Sequence, residues 1–342
     1  MSAEPVNLWS DTQTRPSDAM RRAIAAAEVG DEQRGLDPTV KLLEERVADL
    51  LGHEAALFLP SGTMCNQIGL RLHVRPGEAV VLHRTAHPIV AEAGGPAAHA
   101  GAMIVALDGD GGMFEAGDVE AALSRPGDRY SARSALVCVE QTTNMGGGRV
   151  WPLGRIEAVV AAARAAGLRA HLDGARLMNA SVAAGVEPRE YAARFDTAWI
   201  DFSKGLGAPV GACLAGSSEL IGEAWRLKQM MGGALRQAGI VAAAALYALD
   251  HNVERLAEDH ANARLLAEGL AELPAVTIDA GKVESNIVFF EVGDAPARAA
   301  ELQAAGVDVS AFGPRRIRAV THLDVDRAGI ERALEVMRRV LR

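Results

Sequence analysis

Aromatic residues make up only 4% of this 342-residue chain, so its core has to be filled mainly by Ala, Leu and Val. Cysteine is scarce as well. Cys65, Cys138 and Cys213 are odd in number, far apart and embedded in apolar stretches. That pattern argues against a disulfide framework, a redox pair or a zinc site, and reads as buried free thiols in a reducing compartment. Positive charge is not in excess: the formal net charge is −9, whereas a nucleic-acid surface normally carries a basic patch. The longest apolar run, Ala238–Leu249, falls short of the about 20 residues that a bilayer-spanning helix requires. The first residues include Glu4 and no apolar stretch of secretory type. These absences lead us to expect a cytoplasmic protein with no nucleic-acid partner and no membrane segment.

What is present is a 49% hydrophobic, 23% charged composition, typical of a soluble globular chain. The length points to roughly two domains. From about residue 40 to 215, helix-like and strand-like segments alternate. Pro38 is pre-set for the first turn of a helix over Thr39–Leu51. Strands are expected at Ala55–Leu59, Ala79–Leu82, Ala102–Ala106, Ala135–Val139, Leu168–Leu172, Thr197–Phe202 and Gly211–Ala215, with a helix from about Thr63 to Leu72. Such alternation argues for an α/β fold with a mostly parallel sheet and helices on both faces. Ser217–Met230 and Leu235–Leu273 read as helices, the second broken near His251–Asn252. Beyond about 275 the pattern restarts, with strands at Ile287–Glu291 and Ile317–Thr321 and helices at Ala295–Ala305 and Asp326–Leu341. We therefore expect a large domain over 1–250, N-terminal segment included, and a small α+β domain over 251–342.

Two segments carry the chemistry. His171-Leu-Asp-Gly-Ala-Arg176 and Asp201-Phe-Ser-Lys-Gly205 each bring a charged residue to the end of a strand-like run. In open α/β sheets, ligands sit outside those strand ends. An acid and an amine delivered there fit pyridoxal phosphate (PLP), with Lys204 as the Schiff-base lysine and Asp173 holding the ring nitrogen protonated. Read singly, Asp173 is a turn aspartate and Lys204 a loop lysine. The Ser before Lys204 and the Gly205-Leu-Gly207 after it, however, build a tight backbone cradle that a surface lysine has no need of. Ser61-Gly-Thr63 lies between a strand and a helix, where it serves as an N-cap or as a phosphate site at the helix's positive end. Gly205-Leu-Gly-Ala-Pro-Val-Gly211 falls one position short of a dinucleotide fingerprint. Asp108-Gly-Asp-Gly-Gly112 lacks the later ligands of a metal loop, so no metal is expected.

With these segments in hand, the chain resembles the low-specificity L-threonine aldolases, PLP enzymes of the aspartate-aminotransferase fold (fold type I). The matching segments are Ser10-Asp-Thr-Gln-Thr-Arg-Pro16, Gly35-Leu-Asp-Pro-Thr39, Leu59-Pro-Ser-Gly-Thr63, Ala86-His87, Glu92-Ala-Gly-Gly95, Asp173-Gly-Ala-Arg176, Ser203-Lys-Gly-Leu-Gly207, Arg236-Gln237 and Arg318-Ala-Val-Thr-His-Leu-Asp324. They run in family order from about residue 7 onward.

The resemblance implies Lys204, Asp173 and His87 as catalytic residues, His87 stacking on the ring face opposite the lysine. It implies Ser61, Gly62 and Thr63 around the phosphate, with Arg176 beside the cofactor. Lys228 and Arg236 are further phosphate candidates, from the same subunit or a neighbouring one. Ser10, Arg176 and Arg318 would hold the substrate carboxylate, where the guanidinium fork gives two parallel hydrogen bonds. Family members usually read Glu-Asn-Thr-His-Asn where this chain has Glu140-Gln-Thr-Thr-Asn144, so Thr143 takes a histidine's place near the substrate hydroxyl. Arg34 and Leu36 stand where an aromatic and an acid are common. The implied function is retro-aldol cleavage of L-threonine, L-allo-threonine or a related β-hydroxy-α-amino acid to glycine and an aldehyde, in a homotetramer with sites shared across a dimer. The rivals are an aminotransferase or β-eliminating lyase of the same fold, and a non-catalytic protein on it.

Overall fold

The computed structural model of the chain describes residues 5–123 and 128–342; Glu4, on which the signal-peptide expectation partly rests, lies outside them. Twelve strands occur among the described residues: β1 Val6–Asn7, β2 Ala55–Leu59, β3 Ala79–His83, β4 Met103–Leu107, β5 Ser134–Glu140, β6 Arg169–Asp173, β7 Thr197–Asp201, β8 Ala212–Gly216, β9 Ile287–Glu291, β10 Val307–Asp308, β11 Ser310–Phe312 and β12 Arg316–Val320. Seven of them form one sheet in the order β2-β8-β7-β6-β5-β3-β4. Pairing is parallel across β4, β3, β5, β6 and β7, and only β8 runs against its neighbours.

Alternate side chains of these strands are buried on opposite faces, as a period of two requires. Phe58, Val81, Val137, Ile200 and Cys213 join one apolar cluster with helices Pro38–Leu51, Leu153–Ala165 and Gly239–His251. Their neighbours Leu57, Trp199 and Leu214 join another with helices Gly62–His73 and Ser218–Met230, while Val80 and Leu136 enter a third. Both faces are therefore covered, which is why the strands read as continuous apolar runs. Local signals set the helix starts. Asp37 accepts from Val40 N at 3.0 Å with Pro38 in the first turn, and Ser61 accepts from Met64 N at 3.2 Å.

A second core joins the antiparallel sheet β11-β12-β9 to helices Leu256–Ala271, Ala295–Ala304 and Arg327–Val340. The N-terminal segment departs from expectation here. Val6 and Leu8 are buried in this second core, and β1 pairs in parallel with β10. A two-residue strand leaves too little periodicity to be read from sequence. The long helix begins at Gly239 rather than Leu235, because Leu235 N donates instead to the Glu32 carboxylate at 2.7 Å. No helix among the described residues is long and apolar enough to cross a membrane.

Candidate active site

Strands β5, β6 and β7 are parallel neighbours, and their last residues are Glu140, Asp173 and Asp201. Glu140 and Asp173 are direct register partners. Three carboxylates thus meet at the carboxyl edge of the sheet, where ligands of α/β folds bind. A cavity of about 620 Å³ opens there, and Trp9, Ser10, Ser61, Gly62, Thr63, His87, Thr142, Asn144, Arg176, Lys204, Phe312 and Arg318 also line it. Two roomier clefts, one beside Arg46 and His251 and one beside His53 and His73, include no lysine.

Lys204 Nζ lies 2.5 Å from Asp201 Oδ2, while Asp201 Oδ1 accepts from Ser203 N at 2.8 Å. The fully buried Asp173 has no cationic partner in hydrogen-bond contact. Its Oδ2 accepts from Asn66 Nδ2 at 2.8 Å and its Oδ1 from Ala175 N at 3.1 Å. Burial raises the Asp173 carboxyl above its ordinary range, against the pull of His87, Asn66 and Lys204. Burial, followed by the Asp173 charge, pushes Glu140 up to about 7. Glu140 in turn accepts from His87 N at 2.8 Å. His87 Nδ1 meets Glu92 Oε1 at 2.8 Å. Burial opposes the charged ring, but Glu92, Asp173 and Glu140 outweigh it and raise His87.

The opposite wall carries guanidinium groups. Arg176 makes a buried fork onto Asp11, with Nε to Oδ2 at 2.8 Å and Nη2 to Oδ1 at 2.7 Å. Arg176 outweighs burial and holds Asp11 well below the usual carboxylate range. Arg318, on β12, donates from Nη1 to Asn144 Oδ1 at 2.9 Å and lies 4.9 Å over the Phe312 ring. Its Nε is buried without a partner. Burial, then the nearby Arg176 charge, lowers Arg318 to about 10.

The phosphate end is a helix start. Ser61, Gly62 and Thr63 open the helix Gly62–His73 at the cavity wall. A Cβ on Gly62 would come 2.4 Å from the Trp199 ring, so only glycine lets this turn approach so closely. The donor set fits PLP: an amine, a buried acid with no cationic partner, a helix N-terminus and a guanidinium group line one cavity.

The structure brings Lys204, Asp173, His87, Ser61, Gly62, Thr63, Ser10, Arg176 and Arg318 together in this cavity, but not three other expected residues. Thr143 is one correction. Its Oγ1 is buried without a partner and packs beside Gly112 and Gly146, while Thr142 and Asn144 line the cavity. The residue aligned with the family's histidine therefore does not line the cavity. Lys228 is another: it is wholly buried, paired with Glu32 and 4.7 Å under the Trp225 ring, apart from its own chain's cavity. Arg236 is mostly exposed, 3.2 Å from Asp31, and is likewise not in its own chain's lining. Sequence reasoning missed Asp11 and Asn66. A signal for Asn66 exists: it and Gln67 are polar positions among apolar ones on the helix that starts at Gly62.

The family model for β-eliminating lyases matches residues 7–293. The low specificity L-threonine aldolase of Escherichia coli (strain K12) is 41% identical over 322 residues, covering 94% of this chain and 95% of that one. A probable low-specificity L-threonine aldolase 2 of Arabidopsis thaliana is 40% identical over 344 residues, covering 98% and 97%. Among solved structures, a Leishmania major threonine aldolase superposes with TM-score 0.85 at 22% identity, over 99% of this chain and 100% of that one. A Sphingomonas wittichii serine palmitoyltransferase gives TM-score 0.75 at 19% identity, over 98% and 87%. The fold is that of these enzymes.

Proposed function

This chain belongs to the β-eliminating lyase family, among its low-specificity L-threonine aldolases, and from that membership we propose a PLP-dependent carbon–carbon lyase that cleaves L-threonine or L-allo-threonine to glycine and acetaldehyde. The observation that carries the reading is the convergence on one cavity of the Lys204 amine, the buried Asp173 carboxylate and the Arg318 guanidinium.

Lys204 would hold the cofactor covalently, Asp173 its ring nitrogen, the Ser61–Thr63 turn its phosphate and His87 one ring face. When bound, PLP supplies an electron sink for breaking a bond at the amino-acid Cα. The chain's own residues do the rest. Arg318 Nε, with the remaining Nη1 of Arg176, grips the substrate carboxylate and so sets which bond at Cα stands ready to break. Asp201, paired with Lys204 at 2.5 Å, holds the amine in place at the cavity wall. Asp173 would hold the ring nitrogen through its buried carboxyl group and stabilise charge there. His87, steered by Glu92 through Nδ1, is the group in the lining suited to handle the β-hydroxyl proton. Trp9, Phe312 and the rest of the small unit's wall limit water access.

The assembly we infer is a cytoplasmic homotetramer, a dimer of dimers with shared sites. Arg236, whose side chain is largely exposed, is the candidate to reach a neighbouring copy's phosphate. The test is incubation of the PLP-loaded protein with L-threonine and no keto acid. Equimolar acetaldehyde and glycine are expected; 2-oxobutanoate with ammonia, or no product, overturns the reading.

A further inference from the structure

A line of hydrogen-bonded side chains runs from the part-buried His73, at the end of the helix Gly62–His73, to Asp173. His73 Nε2 is 2.9 Å from Thr197 Oγ1, which is 2.8 Å from His171 Nδ1. His171 Nε2 is 3.2 Å from Asn66 Oδ1. Trp199 Nε1 meets the same oxygen at 2.7 Å. Asn66 Nδ2 reaches Asp173 Oδ2 at 2.8 Å and Glu92 Oε1 at 2.7 Å. His171, Thr197 and Asn66 are essentially without solvent exposure.

The donor inventory fixes every proton in this line. An indole N–H can only donate, so the Asn66 atom facing Trp199 is the oxygen. Its amide NH₂ therefore faces the two carboxylates. His171 must then carry its proton on Nε2 to donate to Asn66 Oδ1, which leaves Nδ1 as an acceptor for the Thr197 hydroxyl. That hydroxyl in turn accepts from His73 Nε2–H. All donors point toward the acids. Burial keeps both rings neutral, His171 at about 3 and His73 at about 4. Gly69 makes room for the line: a Cβ there would come 2.3 Å from His171 Cε1.

We propose that Asn66 is a positioning residue for the reaction: its amide, oriented by Trp199 and the His73–Thr197–His171 chain, donates to Asp173 and Glu92 at once and fixes how both carboxyl groups are presented. One side chain thus ties Asp173 to Glu92, the acid that meets His87 Nδ1. Without that NH₂, Asp173 would be a buried carboxylate with one backbone donor beside two further acids, and it would retain its proton. The proposal rests on the reading that Asp173 serves the PLP ring nitrogen.

Asn66→Asp is the discriminating variant, since it keeps an acceptor for Trp199 and His171 and leaves at most one O–H in place of the two N–H donors, so that Asp173 and Glu92 can no longer be held at once. In the wild-type holoenzyme, ¹⁵N NMR is expected to show His171 and His73 as neutral Nε2–H rings from pH 5 to 9, and ¹⁵N-labelled PLP with a protonated ring nitrogen. In Asn66→Asp the histidine signals stay in place, the ring nitrogen moves to its unprotonated shift, and kcat on threonine falls at least about tenfold. An Nδ1–H ring at His171, or titration of either ring within that range, overturns the proposal even if the variant does not fold. So does an Asn66→Asp enzyme with a protonated ring nitrogen and unchanged kcat. If the wild-type ring nitrogen is itself unprotonated, the reading of Asp173 fails, and the proposal with it.

Discussion

The two walls of the cavity are built on opposite terms. The wall from the seven-stranded sheet is acidic and internally bonded: Glu140, Asp173, Asp201 and Glu92 each accept hydrogen bonds from the chain itself. The wall from the three-stranded sheet brings Arg318, a cation with an unmet donor. Arg176 stands between them with its fork closed on Asp11. An orphan donor in a buried setting costs free energy, and Arg318 carries one in a residue that lines the cavity, where a ligand can supply a partner. The acidic wall is thus suited to hold the cofactor, and the basic wall to hold what comes and goes. A pair of lysines makes the same point. Lys204 and Lys228 are both ion-paired, yet Lys228 is wholly buried and only Lys204 opens onto the cavity.

That contrast can be broken most severely at Lys204. Lys204→Ala is expected to abolish the visible absorbance of bound PLP and essentially all turnover, because no other lysine lines the cavity; absorbance spectra and a threonine assay check this. Asp173→Asn comes next. It should leave PLP bound yet slow cleavage by more than about tenfold, or more than about 1.4 kcal/mol of barrier, since an amide cannot keep a ring nitrogen protonated. A smaller loss would reduce Asp173 to a turn residue.

Arg318→Lys and Arg176→Lys sharpen the difference between the two guanidinium groups. The first should raise KM and lower kcat together, with melting temperature little changed, because a point charge cannot reproduce a planar fork. The second should lower the melting temperature as well, since it opens a buried pair and leaves Asp11 with an imperfect partner. Equal effects of the two variants on KM and on melting would erase the distinction drawn here. His87→Phe keeps a ring in place and removes the base; kcat should fall about tenfold or more with PLP absorbance intact.

The smallest expected effect concerns pH. Glu140 holds its proton up to about 7 in the fold against 4.5 as its ordinary value. Between those values the folded chain binds more protons than the unfolded one, so stability declines as pH rises from about 4.5 to 7. Glu140→Gln should flatten that decline in cofactor-free protein, as measured by denaturant midpoints across the window. An unchanged slope would place the titrating group elsewhere.

Much of the frame was legible because periodicity reports burial. The strands over 55–59 and 287–291 were read to the residue, and those carrying Asp173 and Lys204 within one. The acid and the amine were visible since each follows an apolar run at a turn rich in Gly or Ser. Pairing between distant segments was not visible. Nothing near Asp11 announces Arg176, 165 positions away, and no spacing ties Val6 to Val307. Thr143 was misplaced because a match of letters fixes a position but not the way its side chain faces. Asn66 is a polar position inside a helix, and no spacing ties it to Asp173, 107 positions away.

The chain has only four lysines, Lys41, Lys204, Lys228 and Lys282, so the central claim reduces to which of them carries the cofactor. Borohydride reduction of the PLP-loaded protein, followed by peptide mass mapping, fixes the answer covalently. The cofactor's mass is expected on the peptide containing Lys204 and on no other; label on Lys228, or on none of the four, would contradict the account.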